Sequence, residues 1–407
     1  MSCHNVSRRR FLKTALAGSA AAALGATATE ALAAAAAPAP ATGTGAAPGV
    51  APAPSIPQNV LGKTGQRIPR LLLGTVVPAG LPQLKLAYDL GVTYFDTADC
   101  YGGGKAENLI GRFVEKSGVR KNLWLTTKSD NHDPRGMEEL LTRSLERLHT
   151  DYVDMFFLHA LTDINVLNAE LKSTVERLRK QGKLRFFGFS THAPNCADTL
   201  AASADLGWID AVMFKYNFRA YGDLELNRAI DKAKEASVGL IAMKTQASAF
   251  SFLQKVEPFE AKGFNRHQSV LKAVWEDRRI DAVVAEMTNA QQLEQNVAAA
   301  RDLTRLGSAT MERLQRHADA TAHLYCHGCE HLCARALDRP VALADTMRCL
   351  MYHDEYGDPA RARGVFQALP AELRDLRSID FSPAARACPY KVDVVALMRR
   401  AAEVLEG

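Results

Sequence analysis

Short apolar runs typical of buried strands alternate with amphipathic helical patterns through most of this chain. The helical patterns include residues 136–148 and 168–181, where apolar residues recur three and four positions apart. This alternation predicts an α/β fold with a parallel sheet and right-handed crossovers. Eight such runs favour closure into a barrel over an open sheet. The predicted strands are 68–73, 93–96, 123–128, 152–159, 184–189, 211–216, 239–243 and 282–285.

Four polar residues lie at or just after the ends of three successive runs. Asp96 ends one run and Tyr101 follows it, Lys128 ends the next, and His159 ends the third. The carboxyl ends of the strands and their loops carry the chemistry of α/β barrels, so these residues predict an acid–base site. Each residue alone has an ordinary structural explanation, as a helix cap, a surface charge or a core histidine. Their shared placement indicates an enzyme.

These four side chains form a proton-transfer set. An unperturbed tyrosine titrates near pH 10, so Tyr101 needs a nearby positive charge to protonate a carbonyl oxygen efficiently. Lys128 supplies that charge, and Asp96 compensates a lysine that burial would otherwise deprotonate. We expect His159 to hydrogen-bond the substrate carbonyl and orient it.

At these positions the sequence resembles the aldo-keto reductase family. The resemblance rests on residues 95–102 (FDTADCYG), on Thr127-Lys128 and on Leu158-His159. It implies an NAD(P)H-dependent oxidoreductase that acts on a small-molecule carbonyl or alcohol. It also implies a (β/α)8 TIM barrel over residues 57–305.

The resemblance further assigns residues to the nicotinamide end of the cofactor. Residues 187–190 (FGFS) look like the family's Gly-x-Ser, which assigns Ser190 to cofactor binding. Residues 214–217 (FKYN) look like its Tyr-Asn. By that likeness Tyr216 stacks on the nicotinamide and Asn217 lies nearby.

The phosphate end is assigned in the same way. Residues 281–296 resemble the family segment that holds the adenosine and its phosphate at a helix N-terminus, which implies contacts from Thr288, Asn289 and Asn296. Lys244 replaces the usual Ser-Pro and can reach a phosphate. NADP is favoured over NAD. The choice is not fixed, because Met287 and Gln292 stand where many NADPH-specific members carry Lys or Arg.

The C-terminal region, 306–407, is predicted to be a mostly helical, cysteine-containing, ferredoxin-like domain. Cys326, Cys329 and Cys333 share one short segment, and Cys388 precedes a proline. Four thiolates suit a 4Fe-4S cluster. Zinc suits the same four, or three with His327 or His331. The other alternative is a vestigial helical cap that holds no metal or carries a disulfide, which suits an oxidising compartment. Cys349 lies in a helical pattern and is expected to be a core residue.

This tail resembles the ferredoxin-type tail found on some aldo-keto reductases, and it departs from the usual pattern. The common run is Cys-x2-Cys-x2-Cys-x3-Cys-Pro. Here the third cysteine comes one residue later, and the fourth lies 55 residues beyond it. A cluster would imply an electron-transfer partner.

The N-terminus has the features of a twin-arginine signal peptide. Residues 7–13 (SRRRFLK) match the pattern, an uncharged apolar stretch follows, and residues 31–33 (ALA) form a cleavage site that ends a signal over 1–33. Residues 34–56 are rich in Ala, Pro, Gly and Thr and predict a flexible linker. The twin-arginine export machinery is therefore an expected partner, and the expected location is periplasmic or otherwise extracytoplasmic.

Export raises a question about the reductant, because free NADPH is not expected outside the cytoplasm. Either the dinucleotide leaves the cell tightly bound, or electrons pass through the tail cluster. A noncatalytic nucleotide-sensing or electron-transfer component on the same scaffold is the alternative function.

Charge and hydropathy exclude two other classes of protein. The net charge of +5 is small for 407 residues, and basic residues are interspersed with acidic ones, so no nucleic-acid interface is predicted. Beyond the N-terminus no eighteen consecutive residues are apolar, so no membrane span is expected after processing.

Overall fold

The computed structural model describes residues 55–76, 80–193, 195–246 and 263–406. The predicted signal and all but the last two residues of the predicted linker lie outside them. The eight barrel strands are β3 (Leu71–Gly74), β4 (Tyr94–Asp96), β5 (Trp124–Ser129), β6 (Val153–Leu158), β7 (Leu184–Thr191), β8 (Ala211–Lys215), β9 (Gly239–Met243) and β10 (Ala282–Glu286). All eight pairings are parallel, and β10 closes on β3. The predicted α/β barrel is confirmed.

The first predicted strand, 68–73, is wrong in one respect, because the structure divides it at Arg70. Its first part belongs to an antiparallel ribbon of β1 (Gln58–Val60) and β2 (Arg67–Pro69). The Arg70 carbonyl accepts from Val283 in β10, so the chain enters the barrel only at β3. Leu61 and Ile68 pack with Leu72 of β3 in the barrel interior. The apolar run 68–73 gave no indication that the strand-pairing partner changes at Arg70.

Helices surround the barrel and bury one face against it. They are α1 (Leu81–Asp89), α2 (Lys105–Ser117), α3 (Pro134–Arg147), α4 (Ala169–Lys180), α5 (Cys196–Leu206), α6 (Leu224–Glu235), α7 (Arg266–Glu276) and α8 (Ala290–Arg301). The two helices predicted by periodicity are α3 and α4. Asp133 caps α3 by accepting from Gly136 N at 2.9 Å, and Asn168 caps α4 by accepting from Leu171 N at 3.0 Å.

The C-terminal region is helical, as expected, and has a core of its own. It contains α9 (Ser308–Thr321), α10 (Glu330–Cys333), α11 (Leu343–Asp354), α12 (Pro359–Gln367), α13 (Ser382–Ala387) and α14 (Val394–Leu405). Cys349 is fully buried in this core with Phe366 and Met398, which confirms its predicted packing role. None of the helices in the described ranges is both long and apolar enough to cross a membrane.

Candidate functional site

A buried ion pair lies at the carboxyl end of the barrel. Asp96 is the last residue of β4, and Lys128 is in β5, which pairs with β4 in parallel. Lys128 Nζ lies 2.6 Å from Asp96 Oδ2 and donates to the Thr97 carbonyl at 2.8 Å. The two side chains are 1% and 5% exposed. Burial lowers the pKa of Lys128, and the Asp96 charge opposes that shift.

Tyr101 lies shortly after β4, in a segment that is hydrogen-bonded to the neighbouring strand β5. Asp99 N donates to the Lys128 carbonyl at 3.2 Å, and Arg147 binds the Asp99 carboxylate at 2.7 Å. These contacts hold the Tyr101 ring 5.1 Å from Lys128 Nζ, measured to the ring centroid. Burial, followed by the charge of Asp96, raises the pKa of Tyr101 well above 10. Tyr101 is therefore protonated at neutral pH, the form that can donate a proton.

His159 follows β6 directly and is oriented by a residue that the sequence did not single out. Its backbone N donates to the Ser129 carbonyl at 2.8 Å, and its Nδ1 lies 2.7 Å from Asp130 Oδ1. Burial lowers the pKa of His159 to about 4, with Asp130 opposing the shift. A neutral ring next to a carboxylate carries its proton on Nδ1. Nε2 is then left as a hydrogen-bond acceptor.

These four residues line one cavity of about 550 Å³, within the size range of small-molecule sites. Residues 324–328 and helix α11 of the C-terminal region line the same cavity. The tail therefore covers part of the barrel mouth, which the sequence alone did not predict. Asp96 Oδ1 is buried here and has no hydrogen-bond partner among the described residues, so it can accept from a ligand hydroxyl.

The residues assigned to the cofactor by resemblance divide into two groups. Ser190, Lys244 and Thr288 line the cavity. They share it with the acid–base set, which is Asp96, Tyr101, Lys128 and His159. The others do not line it: Tyr216 donates to Asp277 at 2.6 Å, Asn217 donates to the Lys244 carbonyl, Asn289 caps α8, and Asn296 accepts from Gln246.

The four tail cysteines come together around short helices. Cys326 and Cys388 pack against the core cluster that contains Cys333, helices α10 and α13 are in contact, and no disulfide joins any of the four. Their sulfurs do not form a group of three within 4.8 Å. Cys326 also lines the cavity of the acid–base set.

Sequence reasoning missed several residues that line this cavity. They are His192, Lys215, Arg348 and Arg361. Asp130, two positions after Lys128, could have been found by treating every polar residue beyond a strand end as a site candidate. Arg348 and Arg361 gave no such indication, because only the packing of the tail brings them to the barrel.

A closed barrel of eight parallel strands with ionisable side chains at its carboxyl end is the architecture of the (β/α)8-barrel enzymes. The Aldo/keto reductase family profile matches residues 79–306, and a TAT (twin-arginine translocation) pathway signal sequence matches residues 5–25. The chain therefore belongs to the aldo/keto reductase family, and it carries a twin-arginine signal.

Known proteins resemble the chain over its barrel. Aldo-keto reductase yakc of Schizosaccharomyces pombe is 34% identical over 146 residues, which are 32% of this chain and 41% of that protein. L-glyceraldehyde 3-phosphate reductase of Escherichia coli O157:H7 is 25% identical over 65% of this chain and 93% of its own length. The match to yakc thus spans less than half of that relative.

A solved structure shares the fold. The aldo-keto reductase AKR11C1 from Bacillus halodurans, in its holo form, aligns with a TM-score of 0.54 at 20% identity. The alignment covers 64% of this chain and 96% of that one.

The Asp130 contact predicts the tautomer of His159. In ¹⁵N NMR of the whole protein, the His159 ring should be neutral at pH 7 with its proton on Nδ1, and it should titrate near pH 4. An Asp130→Asn variant should move the proton to Nε2, because an amide can donate to Nδ1. A wild-type ring protonated on Nε2, or a midpoint near 6.5, would contradict this assignment.

Proposed function

We propose that this protein is an NADP-dependent oxidoreductase that transfers hydride between a nicotinamide and a carbonyl or alcohol substrate. The observation that carries the proposal is the buried Lys128–Asp96 pair beside Tyr101 and His159 in one cavity. Membership of the aldo/keto reductase family supports it, and the name of the S. pombe relative includes NADP(+). NAD remains the alternative cofactor.

The residues that line the cavity fit a nicotinamide nucleotide. Ser190, Lys244 and Thr288 offer polar groups, and the unpartnered Asp96 Oδ1 suits a ribose hydroxyl. When bound, the cofactor would supply or accept the hydride. By resemblance to the family, we propose that Tyr216 and Asn217 lie at the nicotinamide, with their polar atoms bonded to Asp277 and to the Lys244 carbonyl. By the same resemblance, we propose that Asn289, which caps α8, and Asn296, which lies in α8, contact the adenosine and phosphate end of the cofactor.

In the reductive direction, Tyr101 is the proposed general acid. Its raised pKa keeps the proton on Oη until a carbonyl oxygen becomes basic enough to take it. The charged form of Lys128, which Asp96 favours, then stabilises the phenolate that remains. Nε2 of neutral His159 accepts a hydrogen bond, so this residue orients a hydroxyl, such as that of the alcohol form of the substrate.

Replacing Tyr101 with Phe should remove the proton donor and leave the cavity filled. We expect the rate of aldehyde reduction by purified protein with NADPH, followed as loss of nicotinamide absorbance, to fall about 10²–10⁴-fold. NADPH affinity should change little. Tyr88→Phe is a matched control, because Tyr88 packs outside the cavity against Phe113 and should retain full activity.

Unchanged turnover in Tyr101→Phe would eliminate this residue as the acid. NADPH binding without any hydride exchange in the wild-type protein would favour the alternative, a noncatalytic nucleotide-sensing component.

We also propose that Cys326, Cys329, Cys333 and Cys388 hold a 4Fe-4S cluster, which would supply one-electron transfer. The donor set suits a cluster, because the four thiols are free and near enough to influence one another's pKa values. The position of Cys326 on the cavity wall supports coupling between this cluster and the acid–base site. The proposed boundaries place the barrel in 57–305 and the cluster domain in 306–407.

Anaerobically purified protein should contain about four iron and four sulfide per chain. Cys388→Ser should lose most of this iron and the visible absorption, whereas Cys349→Ser should keep both, because Cys349 lies in the helical core. Stoichiometric zinc without iron would contradict the cluster.

Export completes the proposal. The twin-arginine route carries folded proteins, so cofactors acquired in the cytoplasm can leave the cell with the chain. We propose cleavage after residue 33 and a periplasmic or otherwise extracytoplasmic location, with an electron-transfer partner there.

A further inference from the structure

A buried carboxylate lies at the start of α2, the helix that follows Tyr101. Glu107 is in the first turn of α2 and is 0% exposed. Its Oε1 accepts from the Thr127 hydroxyl at 2.6 Å, and its Oε2 accepts from Arg147 Nη1 at 3.0 Å. A buried charge is costly unless hydrogen bonds and an opposite charge compensate it. Burial of Glu107 therefore keeps the Arg147 guanidinium at this place.

Arg147 connects this carboxylate to the segment just before Tyr101. It ends α3, and the same Nη1 donates to Asp99 Oδ1 at 2.7 Å. Arg143 of α3 lies farther from that carboxylate, at 3.8 Å. The backbone N of Asp99 donates in turn to the Lys128 carbonyl at 3.2 Å. One guanidinium thus links α2, α3 and the segment that leads from β4 to Tyr101.

The residues that follow Tyr101 have little stiffness of their own. Gly102, Gly103 and Gly104 have φ angles of 59°, 66° and 89°, a region that glycine adopts without steric cost. Glycine also loses more conformational freedom on folding than any other residue, so such a run needs outside contacts to stay in one conformation. Arg147 supplies one of them, because a Cβ built on Gly104 would lie 2.5 Å from Arg147 Cζ. The guanidinium packs directly against the glycine run.

We propose that Arg147 is a positioning residue for proton transfer from Tyr101. The inference rests on the proposed function, in which Tyr101 is the general acid. Arg147 is not among the described residues that line the cavity, so it acts through the segment 99–104 and not on the substrate. By holding that segment against α2 and α3, it keeps the phenol where Lys128 can stabilise the phenolate.

Proton transfer makes strict demands on this position. A general acid must come within about 2.6–3.2 Å of the atom that it protonates. A displacement of about 1 Å can lower the rate about a hundredfold. Loss of the Arg147 contacts should therefore impair the chemical step much more than binding of substrate or cofactor, which depends on the residues that line the cavity.

Two substitutions of Arg147 test the inference in the whole protein, supplied with NADPH and a small aldehyde. Arg147→Met keeps an apolar stem and loses every donor. We expect its kcat to fall about a hundredfold, with the aldehyde KM and the NADPH affinity within about twofold of wild type. The solvent deuterium isotope effect on kcat should rise, because transfer from Tyr101 becomes slower. Arg147→Lys retains a charge and donors, and it should recover at least about tenfold of the loss.

Hydrogen exchange measures the same contacts without any turnover. The amides of Asp99, Tyr101 and Gly103 donate to backbone carbonyls, so their exchange reports how often the segment 99–104 opens. In Arg147→Met this segment should exchange at least about tenfold faster than in wild type. Exchange in β6 and β7 should stay unchanged, because the Arg147 contacts do not reach those strands.

Arg177→Met is the matched control. Arg177 of α4 makes a bidentate ion pair with Glu138 of α3 at 2.8 and 2.6 Å, and its side chain is 47% exposed. The substitution removes another arginine–carboxylate pair that involves α3, at a place other than the segment 99–104. Its kcat and its exchange should equal those of wild type, since exposed ion pairs contribute little.

A kcat of Arg147→Met within about twofold of wild type would overturn the inference, as would unchanged exchange of residues 99–104. Equal losses in Arg147→Met and Arg147→Lys, without a larger solvent isotope effect, would assign Arg147 a purely structural role and also overturn it. Tyr101→Phe, measured alongside, separates this failure from that of the proposed function. A slow Tyr101→Phe with a fast Arg147→Met contradicts the positioning role alone, whereas full activity of Tyr101→Phe contradicts both.

Discussion

The buried ion pair between Lys128 and Asp96 is the interaction on which the candidate site depends. Lysine at this depth tends to lose its proton, and the carboxylate 2.6 Å away opposes that loss. Removing one partner of such a pair costs about 3–5 kcal/mol, because the other charge stays buried. The pair also joins β4 to β5 and fixes the strand ends that carry Tyr101 and Asp130.

The environment of Tyr101 differs from the one expected from residue types alone. A neighbouring lysine was expected to ease ionisation of the phenol, yet burial and nearby carboxylates raise its pKa. The protein therefore holds Tyr101 protonated and Lys128 next to it. Similarly, Asp130 makes His159 an acceptor at Nε2, whereas the sequence suggested a donor to a carbonyl. In both cases the surroundings of the side chain determine where its proton is held.

The barrel could be predicted because its evidence is local. Strand periodicity, helix caps at Asp133 and Asn168, and polar residues at strand ends all act within a few positions of the chain. The break at Arg70 was missed because apolar runs do not reveal a change of pairing partner. The hydrogen bond from Tyr216 to Asp277 was not predicted, because it joins residues 61 positions apart. The part of the cavity wall that Arg348 and Cys326 form depends on long-range packing, which no short motif encodes.

The most direct test of the central claim follows the hydrogen itself. The purified protein would be given NADPH deuterated at the reactive carbon of the nicotinamide, together with a small aldehyde, in a single turnover. Mass spectrometry of the alcohol should find one deuterium on the former carbonyl carbon, since the proton from Tyr101 goes to oxygen. An alcohol whose new carbon-bound hydrogen comes from solvent would contradict the account.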